Sequence, residues 1–135
     1  MRLATLGLAA AAAALLAGCG ARAPDLFAVE RTGTGANAQL RMVVSDGGSV
    51  TCNGHDHPLD AQRLLRARAV ARELAEPAQL HLELPPARGS VLSYKVSVEQ
   101  GTVVFSDNSA KLPPSFTAVE VLTKDIAEEV CRITR

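Results

Sequence analysis

A cysteine followed closely by two histidines is the part of the sequence best suited to metal chemistry. Cys52, His55 and His57 lie within six consecutive residues. Thiolate and imidazole groups are ligands that Zn²⁺ prefers, so a free Cys52 thiol would make this segment a partial zinc site. The alternative is a polar turn in which neither histidine binds a metal. The choice depends on whether the Cys52 thiol is free.

Serine, histidine and aspartate are all present, but their arrangement does not predict catalysis. The sequence has no Gly-x-Ser-x-Gly segment, the pattern that exposes a nucleophilic serine between a strand and a helix. Glu128 and Glu129 are adjacent on a predicted helix, so their carboxylates diverge. Glu120 and Lys124 are four positions apart, the spacing of an ordinary ion pair on a helix surface. We therefore expect no enzymatic activity and no cofactor.

The first 19 residues have the pattern of an export signal that ends in a cysteine. A positive start at Arg2 precedes an apolar run of 14 residues, 3–16. A bilayer-spanning helix needs about 20 apolar residues, so this run predicts a signal-peptide core rather than an anchor. Leu16-Ala17-Gly18-Cys19 resembles the lipobox of bacterial lipoproteins. That resemblance implies cleavage before Cys19, a diacylglyceryl group on its thiol, and a lipid-anchored chain at the extracytoplasmic face of the cell membrane.

An ordinary secretory signal with a cysteine at its cleavage site is the alternative. The composition, rich in alanine and arginine, also looks like that of small actinobacterial lipoproteins. We expect a lipoprotein signal peptide over residues 1–18, a lipidated tether over 19–25 and a single domain over 26–135. Without residues 1–18 the chain has 13 basic and 14 acidic side chains. This balance favours no nucleic-acid partner, so the membrane contact is expected to be the lipid on Cys19.

The assignment of Cys19 to lipid leaves Cys52 and Cys131 as a pair. In an exported chain an even pair of cysteines is most simply a disulfide. Cys52 would then be unable to bind zinc, and we expect no metal, with His55 and His57 in a polar turn.

Alternating apolar residues predict the strands that must position these groups. Three of them lie at residues 26–31, 39–45 and 49–52. Asp60 can cap a helix over 61–75 that Pro77 would stop. Residues 79–89 are ambiguous, since Leu80, Leu82 and Leu84 alternate like a short strand.

The clearest element is a hairpin that begins with alternating residues 92–98. A turn at Gln100-Gly101 would pair Val98 with Val103 and Val96 with Phe105. A last helix is predicted over 115–132. The fold class is therefore α+β: an antiparallel sheet of four to five strands with two helices packed on one face, in the order β-β-β-α-(β)-β-β-α.

The last helix poses a geometric problem for the disulfide. On an ideal helix Cys131 lies roughly 100° to the side of the apolar stripe. A bond to Cys52 would then require a flanking approach or a frayed last turn.

Recognition in small domains is usually carried by loops on a rigid sheet. The candidate loops are residues 32–37, 53–58 and 107–114, with Thr34, His55 and Asn108 as candidate binding residues. We expect a non-catalytic module that binds a protein or an envelope component.

A second resemblance covers about residues 26–130. Its motifs are Glu30-Arg31-Thr32-Gly33, Tyr94-Lys95-Val96-Ser97-Val98 and Leu112-Pro113-Pro114 before the last helix. Together they resemble the emfourin-type protealysin inhibitors, small α+β proteins that block thermolysin-like metalloproteases. This chain has Gly33-Thr34-Gly35 where those proteins have Gly-Gly-Phe, and it adds two cysteines and a lipid. The resemblance implies a tethered protease inhibitor as the alternative function and assigns no inhibitory residue.

Overall fold

The computed structural model describes residues 22–135, so Cys19 and the predicted signal lie outside the described residues. Within that range the chain forms six strands and two helices. The strands are β1 (Asp25–Gly33), β2 (Leu40–Ser45), β3 (Ser49–Cys52), β4 (His55–Pro58), β5 (Leu92–Val98) and β6 (Gly101–Ser106). The helices are α1 (Ala61–Gln79) and α2 (Pro114–Asp125), and a π-helical turn over Ile126–Val130 continues α2. The predicted α+β class is confirmed.

The strands form one antiparallel sheet in the order β4-β3-β2-β1-β5-β6. Alternate residues of its strands point to one face, where they form a single apolar core with both helices. Between residues 22 and 135, no helix combines the length and the apolar character needed to cross a bilayer.

The sheet has six strands rather than four to five because the chain turns back at Asn53-Gly54. Both residues have left-handed backbone angles, with φ of 48° and 85°. An Asn-Gly pair favours this two-residue hairpin turn, which leads directly into β4. The prediction that residues 53–58 form a loop was therefore wrong beyond the turn itself. As an edge strand, β4 contributes no buried residue to the core and shows no apolar alternation.

Helix α1 begins as predicted, with Asp60 Oδ1 accepting a hydrogen bond from the Arg63 amide at 3.0 Å. It does not stop before Pro77, which lies inside its last turn. The ambiguous segment then forms a single parallel bridge to β6, in which the Leu84 amide donates to the Val104 carbonyl at 2.8 Å.

The β5–β6 hairpin exists, but its predicted register is wrong by two residues. Glu99 and Gln100 form the turn, so Val96 pairs with Val103 and Tyr94 pairs with Phe105. A shift of two keeps the same side chains on the core face. Gly101 is the first residue of β6, and only glycine fits there because a β-carbon would overlap the carbonyl oxygen of Ala78 at the end of α1.

The predicted disulfide between Cys52 and Cys131 is present, with the two α-carbons 6.3 Å apart. The π-helical turn makes it possible. The Cys131 amide donates to the Ile126 carbonyl, five residues back, at 3.0 Å. One additional residue in the turn shifts the phase by about 100°, so Cys131 takes the angular position that Val130 would have on a continuous α-helix. The prediction of an unbroken helix to residue 132 is corrected accordingly.

Candidate functional site

The strand directions separate the two ends of the sheet. Strand β1 starts at Asp25, next to the predicted tether, and runs toward Gly33. Because neighbouring strands are antiparallel, the opposite end collects the turn after β1, the Asn53-Gly54 turn and the loop after β6. We call this the distal end. All three candidate loops begin there.

The distal end does not bring the three candidate binding residues into one site. His55 lies on β4 and Asn108 follows β6, the two outermost strands. Five strand spacings of about 4.8 Å place them roughly 24 Å apart. Thr34 follows the central strand β1.

Two of these residues make contacts within the chain. The amide group of Asn108 bonds to the backbone of Ala87 and Arg88 and so holds the neighbouring loop. The Thr34 carbonyl accepts a hydrogen bond from Arg135 Nη2 at 3.2 Å. Both residues remain candidates for binding.

His55 and His57 lie on β4, opposite Cys52 and Val50 of β3. His55 is exposed and His57 is half-buried. The Cys52 sulfur belongs to the disulfide, so the partial zinc site lacks its thiolate. Across residues 22–135, no three His, Cys, Asp or Glu side chains form a group that could hold a metal ion.

A cleft between the distal half of the sheet and α2 was not predicted. It has a volume of about 360 Å³. Its lining combines three cations, three carboxylates, a tyrosine and two apolar side chains: Arg31, Lys124, Arg135, Asp107, Glu120, Glu128, Tyr94, Leu92 and Val121. One sequence signal could have indicated it. Arg31 follows Phe27 and Val29 in the inward-facing register of β1, where a charge is unusual.

The Arg31 side chain is only 3% exposed. Its Nε donates to the Ala38 carbonyl at 3.0 Å, and its Nη2 donates to the Asn37 carbonyl at 2.9 Å. Within the described part of the chain, Arg31 has no carboxylate partner at ion-pair distance. Burial lowers the pKa of Arg31, an effect that the adjacent Tyr94 hydroxyl opposes. A guanidinium stays protonated under such shifts, so the cleft contains a buried cation.

Glu120 and Asp107 are two of the three acidic side chains of the cleft. Glu120 is half-buried on α2, and burial together with the negative charge of Asp107 raises the pKa of its carboxyl. The Asp107 carboxylate accepts hydrogen bonds from the Val91 amide and the Ser90 hydroxyl, each at 3.2 Å. Asp107 thus holds the loop before β5, whereas Glu120 faces the cleft.

Tyr94 lies beside Arg31 and also senses the charge of Glu120. It is the direct pairing partner of Arg31 between β1 and β5. Its ring stacks on Phe105 with centroids 5.0 Å apart, and its side chain is almost fully buried. Burial, with a further contribution from Glu120, raises the pKa of Tyr94 to about 12.

The Tyr94 shift predicts a loss of stability in alkali. The unfolded chain ionises its tyrosine near pH 10, whereas the native chain does so near pH 12. The contribution of Tyr94 to the free energy of unfolding is therefore fully present below pH 10. It is lost as the pH rises to 12, by up to about 2.7 kcal/mol. Tyr94 is the only tyrosine, so tyrosinate absorbance reports it alone. A native midpoint near pH 10 would contradict this prediction, and Tyr94→Phe is the control that removes the signal.

The fold and the cleft define a small disulfide-bonded α+β domain with a mixed-charge cleft beside its second helix. Comparisons with protein-family models, with curated proteins and with solved structures found no match.

Proposed function

We propose that this protein is a membrane-anchored lipoprotein that acts outside the cytoplasm as a non-catalytic binding module. The observation that carries the proposal is the position of the cleft and the loops. They lie toward the end of the sheet opposite Asp25, where the lipidated tether would join the domain. An anchor at one end and recognition groups at the other is the arrangement that a tethered binding protein requires.

Two further observations support this proposal. The six residue steps from Cys19 to Asp25 span at most about 22 Å, so the tether would keep the near end of the sheet close to the bilayer. The Cys52–Cys131 disulfide is typical of a chain that folds in an oxidising compartment.

Cys19→Ser tests the anchor. We expect this variant to take up no labelled fatty acid and to accumulate as an unprocessed precursor or as released protein, because the modified thiol is missing. Detergent phase partitioning and metabolic labelling measure both effects. Ala21→Ser, two positions further on, is the matched control and should be processed normally. Normal labelling and partitioning of Cys19→Ser would overturn the lipobox interpretation.

Inhibition of a thermolysin-like metalloprotease is the second candidate function. It is supported by the order of elements, since the Tyr94 hairpin is followed by Leu112-Pro113 and then by a last helix that begins at Pro114. Peptide hydrolysis by a thermolysin-like protease should then slow when the purified protein is added in equimolar amount. Unchanged hydrolysis at a large excess would leave the non-inhibitory binding module as the function.

A further inference from the structure

Opposite charges line the cleft without pairing with each other. The Arg31 guanidinium is buried, and the groups beside it, two backbone carbonyls and the Tyr94 hydroxyl, carry no charge. A buried cation without an anion at ion-pair distance is costly, because uncharged protein groups replace only part of its hydration. An anionic ligand group that reached Arg31 would remove much of that cost.

Glu120 presents the complementary group. Its carboxylate has no hydrogen-bond donor and no cation at ion-pair distance among residues 22–135. Lys124, one turn further along α2, does not form the surface ion pair that their spacing predicts. Asp107 is occupied by the backbone of the β5 loop and adds negative charge beside Glu120. This end of the cleft therefore favours a cationic ligand group.

The remaining charged side chains of the cleft do not change this polarity. Glu128 is half-buried and raises the pKa of Arg31, whereas the exposed Arg135 lowers it. Their effects on the guanidinium oppose each other. The cleft thus keeps a positive end at Arg31 and a negative end at Glu120 and Asp107.

The distance between the two ends limits the length of the ligand. Arg31 is on β1, Tyr94 is beside it on β5, and Asp107 directly follows β6. Two strand spacings of about 4.8 Å therefore separate the backbone positions of Arg31 and Asp107 by roughly 10 Å. An extended tripeptide spans at most about 10 Å, whereas the charges of a free amino acid are much closer together. The cleft volume of about 360 Å³ is in the range of small-molecule sites.

We propose that the cleft binds a short zwitterionic peptide of about three residues, with its terminal carboxylate at Arg31 and its terminal ammonium group at the end formed by Asp107 and Glu120. Leu92 and the exposed Val121 supply apolar surface for its side chains. The proposal deepens the proposed binding function by naming the ligand class, and it does not depend on the lipid.

Isothermal titration of the full-length protein in detergent with three peptides tests the proposal. The probes are Ala-Ala-Ala, its N-acetylated form and its C-terminal amide. We expect the free tripeptide to bind. Each blocked form should bind at least about tenfold more weakly, because each loses one charge-assisted contact. Absence of binding by the free tripeptide, or equal binding of all three, would overturn the proposal.

Glu120→Gln isolates the ammonium contact. It removes the charge and keeps the shape of the side chain. Binding of the free tripeptide should therefore weaken about tenfold, and binding of the acetylated form should not change. Glu129→Gln, the same substitution on an exposed residue outside the cleft, should change neither. An equal response of both variants would assign Glu120 no role in binding. Thermal unfolding checks that both variants fold. If they do not, the comparison of the three peptides on the unaltered protein tests the proposal.

The outcomes for the anchor and for the cleft are separable. Failure of the lipid-anchor proposal would appear as normal processing of Cys19→Ser, with peptide binding unaffected. Failure of the peptide proposal would appear as absent or charge-independent binding, with lipid labelling intact.

Discussion

Removal of the Cys52–Cys131 bond in the double variant Cys52→Ala/Cys131→Ala is expected to lower the free energy of unfolding by about 4.5 kcal/mol. The bond joins residues 79 positions apart, and closing so long a loop removes much of the entropy of the unfolded chain. Small domains have a total stability of roughly 5–15 kcal/mol, so the variant would be marginal. Urea unfolding of the full-length protein in detergent measures the change.

Reduction of the unaltered protein is the control for the disulfide variant, because it opens the same loop without a substitution. Both samples should lose similar stability. A loss below about 1 kcal/mol in both would mean that the bond constrains little of the unfolded chain.

Breakage of the disulfide should also loosen the end of the chain. The bond holds the π-helical turn, and two hydrogen bonds fix the residues that follow it. The Ile133 amide donates to the Ala127 carbonyl at 2.8 Å, and the Asn37 side chain donates to the Thr134 carbonyl at 2.6 Å. The Ile133 amide should therefore exchange its hydrogen faster in the reduced protein.

Phe105→Ala is expected to destabilise the domain by about 3–5 kcal/mol. Phe105 is 1% exposed and lies between two other rings, with Tyr94 stacked at 5.0 Å and Phe116 tilted at 5.0 Å. Truncation removes both ring contacts and leaves a cavity between the sheet and α2. Because Tyr94 lines the cleft, peptide binding should fall as well. Chemical unfolding and peptide titration measure the two effects.

Phe105→Leu is the conservative comparison for this core position. It retains most of the apolar volume and should cost less than the alanine variant. Equal destabilisation by both substitutions would mean that the stacked rings, rather than the filled volume, stabilise the core.

Local patterns predicted much of the sheet but not the register of the β5–β6 hairpin or the edge strand β4. Alternation in β2 and β5 reflects which face each side chain takes, and that depends only on neighbouring residues. The register of the β5–β6 hairpin depends instead on Gly101, which lets the end of α1 approach β6. Strand β4 was missed because an edge strand without buried side chains carries no apolar alternation.

Short-range periodicity sufficed to predict the α+β class and the inward and outward faces of the main strands. The pairing of Cys52 with Cys131 was predicted because the assignment of Cys19 to lipid left these two cysteines as an even pair. The way in which the bond forms could not be predicted, since it depends on the π-helical turn that rotates Cys131 toward Cys52. The cleft could not be predicted either. Arg31, Tyr94 and Glu120 are far apart in sequence, and they line one cleft only because β1, β5 and α2 pack together.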